Sequence, residues 1–208
     1  IGQCHNVFNL ANATPEIRKT GKVIVNEGPK DVIAWQRCGM KFAVGVCGTT
    51  NSNNIWDVIL PVTDIYLSMD GDTAGIVTVI SDVLYLVTKH DISHIHTLRF
   101  PEGMDPYDVI SDPSMGIEKL KDIYEHPMPA IDFLCIYGRP DEIVELYEKV
   151  PEYSKIKVMT GICKNKHFTP SEAESWIDSI RSKGIAAYKN QSSVGSNGIP
   201  NSALSERD

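Results

Sequence analysis

Four short apolar runs, each stopped by an acidic residue or a glycine, constrain this chain more than any other feature. Lys22 to Asn26 is β-branched and ends at Glu27-Gly28; Phe42 to Val46 is closed by Gly48. Asp64 to Met69 runs into Asp70-Gly71-Asp72, and Ile95 to Phe100 into Pro101-Glu102-Gly103. Runs of this length and composition read as buried strands. Helical spacing lies between them. Pro29 stands at a natural first helical position ahead of Asp31 to Arg37, and Thr73 to Thr88 has the length of a buried helix. Strands alternating with helices predict an α/β fold, a mostly parallel sheet flanked by helices.

From about Pro113 the pattern changes to helical segments: Ile117 to Tyr124, Ala130 to Tyr137, Pro140 to Lys149 and Ser171 to Lys183. No strand run of comparable quality is expected there. The spacing predicts a lead-in over 1–20, a sheet domain over 21–112 and a small all-α subdomain over 113–188. The Ser-, Asn- and Gly-rich stretch over 189–208 reads as a disordered tail. The chain begins at Ile1 rather than Met, so it is read as a fragment or processed product.

The net charge of −7 is unevenly placed, since residues 51–150 carry 18 acidic against 6 basic side chains. A nucleic-acid grip normally leaves a basic footprint, and the middle of this chain shows the opposite. Its acids either decorate a solvated face or gather around cations. The five cysteines form no CxxC pair, and Cys4-His5 is a poor start for a zinc site, so reduced thiols and no zinc are expected. No apolar run is long enough to span a membrane, so the chain is expected to be soluble and cytoplasmic.

Position favours the cation alternative. Glu27 ends the first strand, Asp70 and Asp72 follow the third, and Asp105 follows the fourth after a Pro/Gly turn. The carboxyl ends of parallel strands open on one edge, where ligands bind, so these acids converge. The two acids of Asp70-Gly71-Asp72 point the same way along extended chain. Such a cluster repels itself unless protonated or neutralised, and hard cations such as Mg²⁺ prefer carboxylate oxygen. Each acid alone reads more simply as a helix cap, a turn former or a charge favoured by the helix dipole.

In order, the motifs resemble the Toprim domain of DnaG-type primases. Val25-Asn26-Glu27-Gly28-Pro29-Lys30-Asp31 is similar to the family's strand, Glu-Gly, and Asp four residues after the Glu. Gly48-Thr49 resembles the Gly-Thr after the next strand, and Met69-Asp70-Gly71-Asp72-Thr73-Ala74-Gly75 the DxD motif in its primase form. Leu98 to Pro106 resembles the stretch that ends in Asp-Pro, and Val7-Phe8-Asn9-Leu10 with Thr20-Gly21-Lys22 the approach to the first strand. The likeness covers about residues 7–150. It implies that the lead-in comes from a preceding primase subdomain.

The resemblance implies metal-dependent nucleotidyl transfer, the synthesis of short RNA primers on a single-stranded DNA template from nucleoside triphosphates. Glu27, Asp70 and Asp72 would be catalytic. Glu27, Asp31, Asp70, Asp72 and Asp105 would hold Mg²⁺, with Mn²⁺ as a substitute, and Gly28, Lys30, Gly48 and Thr49 would meet the substrate. The implied partners are template, RNA primer, and a replicative helicase or other replisome subunit. Tyr107 departs from the family, standing where primases often carry a second acid, with Asp108 next to it. The zinc module and the basic half that grips template lie outside these residues. Competing readings are a Toprim nuclease or topoisomerase fragment, a haloacid-dehalogenase-like phosphatase through Asp70-Gly71-Asp72-Thr73, and a non-catalytic replisome module anchored by Trp176 and Ile177.

Overall fold

A computed structural model describes residues 7–47, 56 and 62–184. After helix α1 (Leu10–Thr20), strands β1 (Lys22–Asn26), β2 (Ala43–Gly45), β3 (Asp64–Ser68) and β4 (Ile95–Thr97) lie in the order β2-β1-β3-β4, all parallel. The antiparallel β5 (Met128–Pro129) closes the far edge against β4. The pairing of β1 with β3 runs from Lys22 against Asp64 to Asn26 against Ser68, which brings their downstream ends level. Val23, Ile24, Val25, Ile65 and Leu67 are fully enclosed, as a sheet covered on both faces requires.

Helices α2 (Pro29–Arg37) and α3 (Thr73–Leu86) follow β1 and β3 after short turns, and α4 (Pro106–Ser111) follows β4 after the longer stretch 98–105. The chain moves from β1 outward to β2, and from β3 outward to β4 on the other side. Right-handed crossovers therefore place α2 and α3 on opposite faces. Helix α2 packs on α4 and β2, while α3 packs on β4 and on α6 (Ala130–Tyr137) and α7 (Pro140–Lys149). Strands β1 and β3 are thus the switch point of the sheet, where a crevice forms at the strands' carboxyl ends.

Trp35 of α2 is fully buried, with its Nε1–H donating to Ser68 Oγ at 3.0 Å and its ring meeting Phe100 and Tyr124 edge-on at 6.3 Å. Trp35→Phe removes this donor and leaves a void. It is expected to cost about 2–3 kcal/mol, read as a lower urea midpoint with an unchanged slope.

The helical part comprises α5 (Gly116–Glu125), α6, α7, α8 (Glu152–Lys166) and α9 (Pro170–Lys183). Helices α6 and α7 start where the sequence places them. Beyond Pro113 the described residues hold only the two-residue strand β5, which no apolar run announces, and α8 is a helix the sequence reading omits. On α9 the anchor gives way to the commoner role of an apolar helix stripe, which is core: Ile177 is 1% exposed, and Trp176 packs against the core beside Phe168. The call of a disordered tail over 189–208 lies outside the described residues.

Candidate active site

Local cap chemistry positions three of the acids. Gly28 caps α2, and its N–H donates to Asp31 Oδ2 at 3.2 Å, with Pro29 at the first helical position. Asp72 caps α3, accepting from the Gly75 N–H at 2.7 Å. Asp105 caps α4, accepting from the Asp108 N–H at 2.8 Å, while Asp108 Oδ2 accepts from the Asp105 N–H at 3.4 Å. The plain reading of these residues as caps therefore holds locally. Asp72 Oδ1 and Asp105 Oδ1 are taken by the caps, and the second oxygen of Asp31, Oδ1, is buried with no hydrogen-bond partner. Glu27 is exposed at the end of β1, and Asp70 is half-buried beyond β3.

Electrostatics places the five acids at one edge. Burial pushes the Asp31 carboxyl up to about 6, with the Asp105 and Asp70 charges adding to the rise against the hydrogen bond from Gly28 and the charge of Lys30. Burial likewise pushes Asp70 up to about 6, helped by Glu27, Asp105 and Asp72 and opposed by Lys30. An acid raised in the folded state binds more protons there than in the unfolded chain, so its ionisation destabilises the fold as pH rises from about 4 to about 6. The metal-free Asp31→Asn/Asp70→Asn double variant should accordingly gain stability over wild type across that window. Thermal melts at pH 4, 5, 6 and 7 check this, and a difference that stays flat would contradict the coupling.

Lys30 is not free to meet a substrate in this state. Its Nζ pairs with Asp105 Oδ2 across 75 positions of sequence. Gly48 and Thr49 lie outside the described residues, and Gly28 serves as cap and turn. Tyr107 is exposed, and Asp108 is engaged in the cap of α4.

Among the described residues, no three His, Cys, Asp or Glu side chains already surround a point that would hold a metal ion. The five acids converge on an open edge and form no ready-made cage among the described residues. The donors still fit Mg²⁺, which takes one or two carboxylates and keeps several waters rather than filling an all-protein cage. The orphaned Asp31 oxygen and the paired rise of Asp31 and Asp70 point the same way, because clustered buried carboxylates are stabilised by either protons or cations.

Residues 24–110 match the Toprim-like family. Among sequence relatives, the DNA primase of Listeria monocytogenes is 32% identical over 120 residues, covering 57% of this chain and 19% of that protein. The DNA primase of Helicobacter pylori is 30% identical over 154 residues, covering 74% of this chain and 26% of that protein. The crystal structure of the Aquifex aeolicus primase zinc-binding and RNA polymerase domains superposes with a TM-score of 0.64 at 20% identity, over 83% of this chain and 44% of that one. The DnaG primase catalytic domain bound to single-stranded DNA gives 0.64 at 19%, over 83% and 59%.

This chain carries a Toprim domain of the DnaG-primase type. It spans about a fifth to a quarter of the length of the curated relatives it matches, 19% and 26% for the two above. Within the Toprim domain, Glu27 comes from the end of β1, Asp31 from the first turn of α2, Asp70 and Asp72 from the turn after β3, and Asp105 from the loop after β4.

Sequence reasoning missed two features of the Toprim edge. One is the Lys30–Asp105 pair, for which adjacent sequence holds no signal. The other is a pocket beside Asp70 lined by Met69, Ile76, Leu98, Phe133 and Tyr137, with Arg99 over the Tyr137 ring at 5.1 Å. Helix α6 supplies Phe133 and Tyr137, so only the folded chain brings them there.

Proposed function

We propose that this chain is the metal-binding catalytic part of a primase, which joins ribonucleotides into short RNA primers on single-stranded DNA. The observation that carries the reading is the convergence of Glu27, Asp31, Asp70, Asp72 and Asp105 at the switch point of a Toprim sheet, with a buried Asp31 oxygen left unpaired. Asp70 and Asp31, aided by Asp72, Asp105 and Glu27, would hold Mg²⁺ or Mn²⁺. Such an ion supplies charge neutralisation at the phosphates and acidifies the attacking hydroxyl.

The remaining chemistry belongs to the chain. Glu27, exposed at the end of β1, would accept the proton of a primer 3′-hydroxyl as the hydroxyl oxygen attacks the α-phosphorus and pyrophosphate leaves. The fixed turn of Asp70-Gly71-Asp72, tied through the Gly71 N–H to the Met104 carbonyl at 2.9 Å, holds its two acids before substrate arrives. Pre-placed charge of this kind needs no rearrangement at the moment of reaction. The DnaG domain in complex with single-stranded DNA supports template as a partner. Among the described residues no helix is long and apolar enough to cross a membrane. The proposed role is a cytoplasmic one in replication, shared with a helicase or other replisome subunit.

Incorporation of labelled ribonucleotides on single-stranded DNA with Mg²⁺ or Mn²⁺ tests the proposal. Template-dependent products from wild type are expected, with Asp70→Asn making roughly 10³-fold less. Cleavage of the DNA in place of incorporation would favour the Toprim nuclease instead. The phosphatase reading gives Glu27 and Asp31 no task, and release of phosphate from a monoester would be its mark.

A further inference from the structure

Lys30 stands where helix physics does not ask for a cation. It occupies the first turn of α2, at the positive end of the helix dipole, where acids are favoured and lysine is not. Its partner explains the placement. The Asp105 side chain is 5% exposed, and its Oδ1 is spent on the cap of α4, so Oδ2 is a buried charge that needs a counter-ion. Lys30 Nζ supplies it from outside, on a side chain that remains 58% exposed. One end of the pair is fixed and buried, while the other is a flexible stem in solvent that can turn away without disturbing the core.

Resting on the metal reading above, we propose that Lys30 is a built-in counter-cation. It covers Asp105 until a divalent ion takes that oxygen, then turns to the triphosphate of the bound nucleotide as a positioning residue. The exchange keeps the Asp105 carboxylate compensated in both states. It also delivers a positive charge to the anion that accompanies the metal. The orphaned Asp31 oxygen lies on the same helix as Lys30.

The test is a titration of Mn²⁺ into the 208-residue chain, with free ion read by electron paramagnetic resonance, for wild type, Lys30→Met, Lys30→Gln and Asp70→Asn. Both Lys30 variants should bind Mn²⁺ roughly five-fold tighter than wild type, the weight of a half-exposed ion pair. ATP titrated calorimetrically in saturating Mn²⁺ should bind them roughly five-fold more weakly, by the same arithmetic. If Asp70→Asn weakens Mn²⁺ binding but the Lys30 variants match wild type, the exchange is overturned while the metal site stands. If wild type takes up no Mn²⁺, the metal reading falls and this inference with it.

Discussion

Asp70→Asn should lower Mn²⁺ affinity on the order of 100-fold, about 2.8 kcal/mol, and ribonucleotide incorporation by roughly 10³-fold. It should do so while making the metal-free protein more stable. The two directions follow from one fact. Burial and the charges of Glu27, Asp105 and Asp72 push the Asp70 carboxyl up to about 6, so at pH 7 it is ionised against its surroundings. Its contribution is a destabilisation fully present above that value and relieved as pH falls toward the ordinary carboxylate range. The amide keeps the shape and removes the charge, and a rise in Tm of about 2–4 °C at pH 7 is expected, shrinking toward pH 4. In the metal-free protein an acid that caps a helix behaves oppositely. Asp72, which caps α3 through the Gly75 N–H, should lose about 1 kcal/mol as Asp72→Ala. Calorimetric melts beside Mn²⁺ titration separate the two cases.

Gly75→Ala should cost about 3 kcal/mol and weaken metal binding along with the fold. A Cβ at Gly75 would lie 2.1 Å from the Asp70 carbonyl oxygen and 3.0 Å from the Asp70 N and carbonyl carbon. These are backbone atoms of the turn that carries the DxD acids, so no side chain can swing aside. Either α3 moves off the sheet or the turn opens, and both displace Asp70 relative to Asp31. Gly71 is confined in the same way, with an added Cβ 2.4 Å from the Pro101 carbonyl oxygen. Tm for Gly75→Ala should fall by roughly 6–12 °C. Saturating Mn²⁺ should restore less stability than it adds to wild type. A variant that melts and binds metal like wild type would show that the turn is not held as described.

The sheet and the acids were legible because both follow local rules. Strand-length apolar runs ending in Glu27-Gly28 and Asp70-Gly71-Asp72 mark the downstream ends of β1 and β3, and their parallel pairing brings those ends level. Boundaries were less legible. The apolar run from Ile95 continues to Phe100, yet β4 ends at Thr97, because Leu98 and Phe100 are buried by packing beyond the ladder. Strand β5 is two residues long and exists through its partners His96 and Thr97, a tertiary cause. Helix α8 was hidden because its apolar residues face several ways. Val158 and Ile162 are buried, Tyr153 and Ile156 are 64% and 73% exposed, and Gly161 interrupts it where Ile131 packs closely. Helix α4 could have been found, since Asp105-Pro106 with Asp108 is a cap signature. The Lys30–Asp105 pair could not, because nothing near either residue names the other.

Anomalous diffraction from Mn²⁺-soaked crystals of the chain tests the central claim most directly. The account predicts a peak at the carboxyl end of β1 and β3, roughly 2.1 Å from an oxygen of Asp70, with Asp31 or Asp105 in its shell and waters completing it. A peak only at other acids, or none at a concentration that saturates wild type in solution, would contradict it and leave these residues as caps on a Toprim fold.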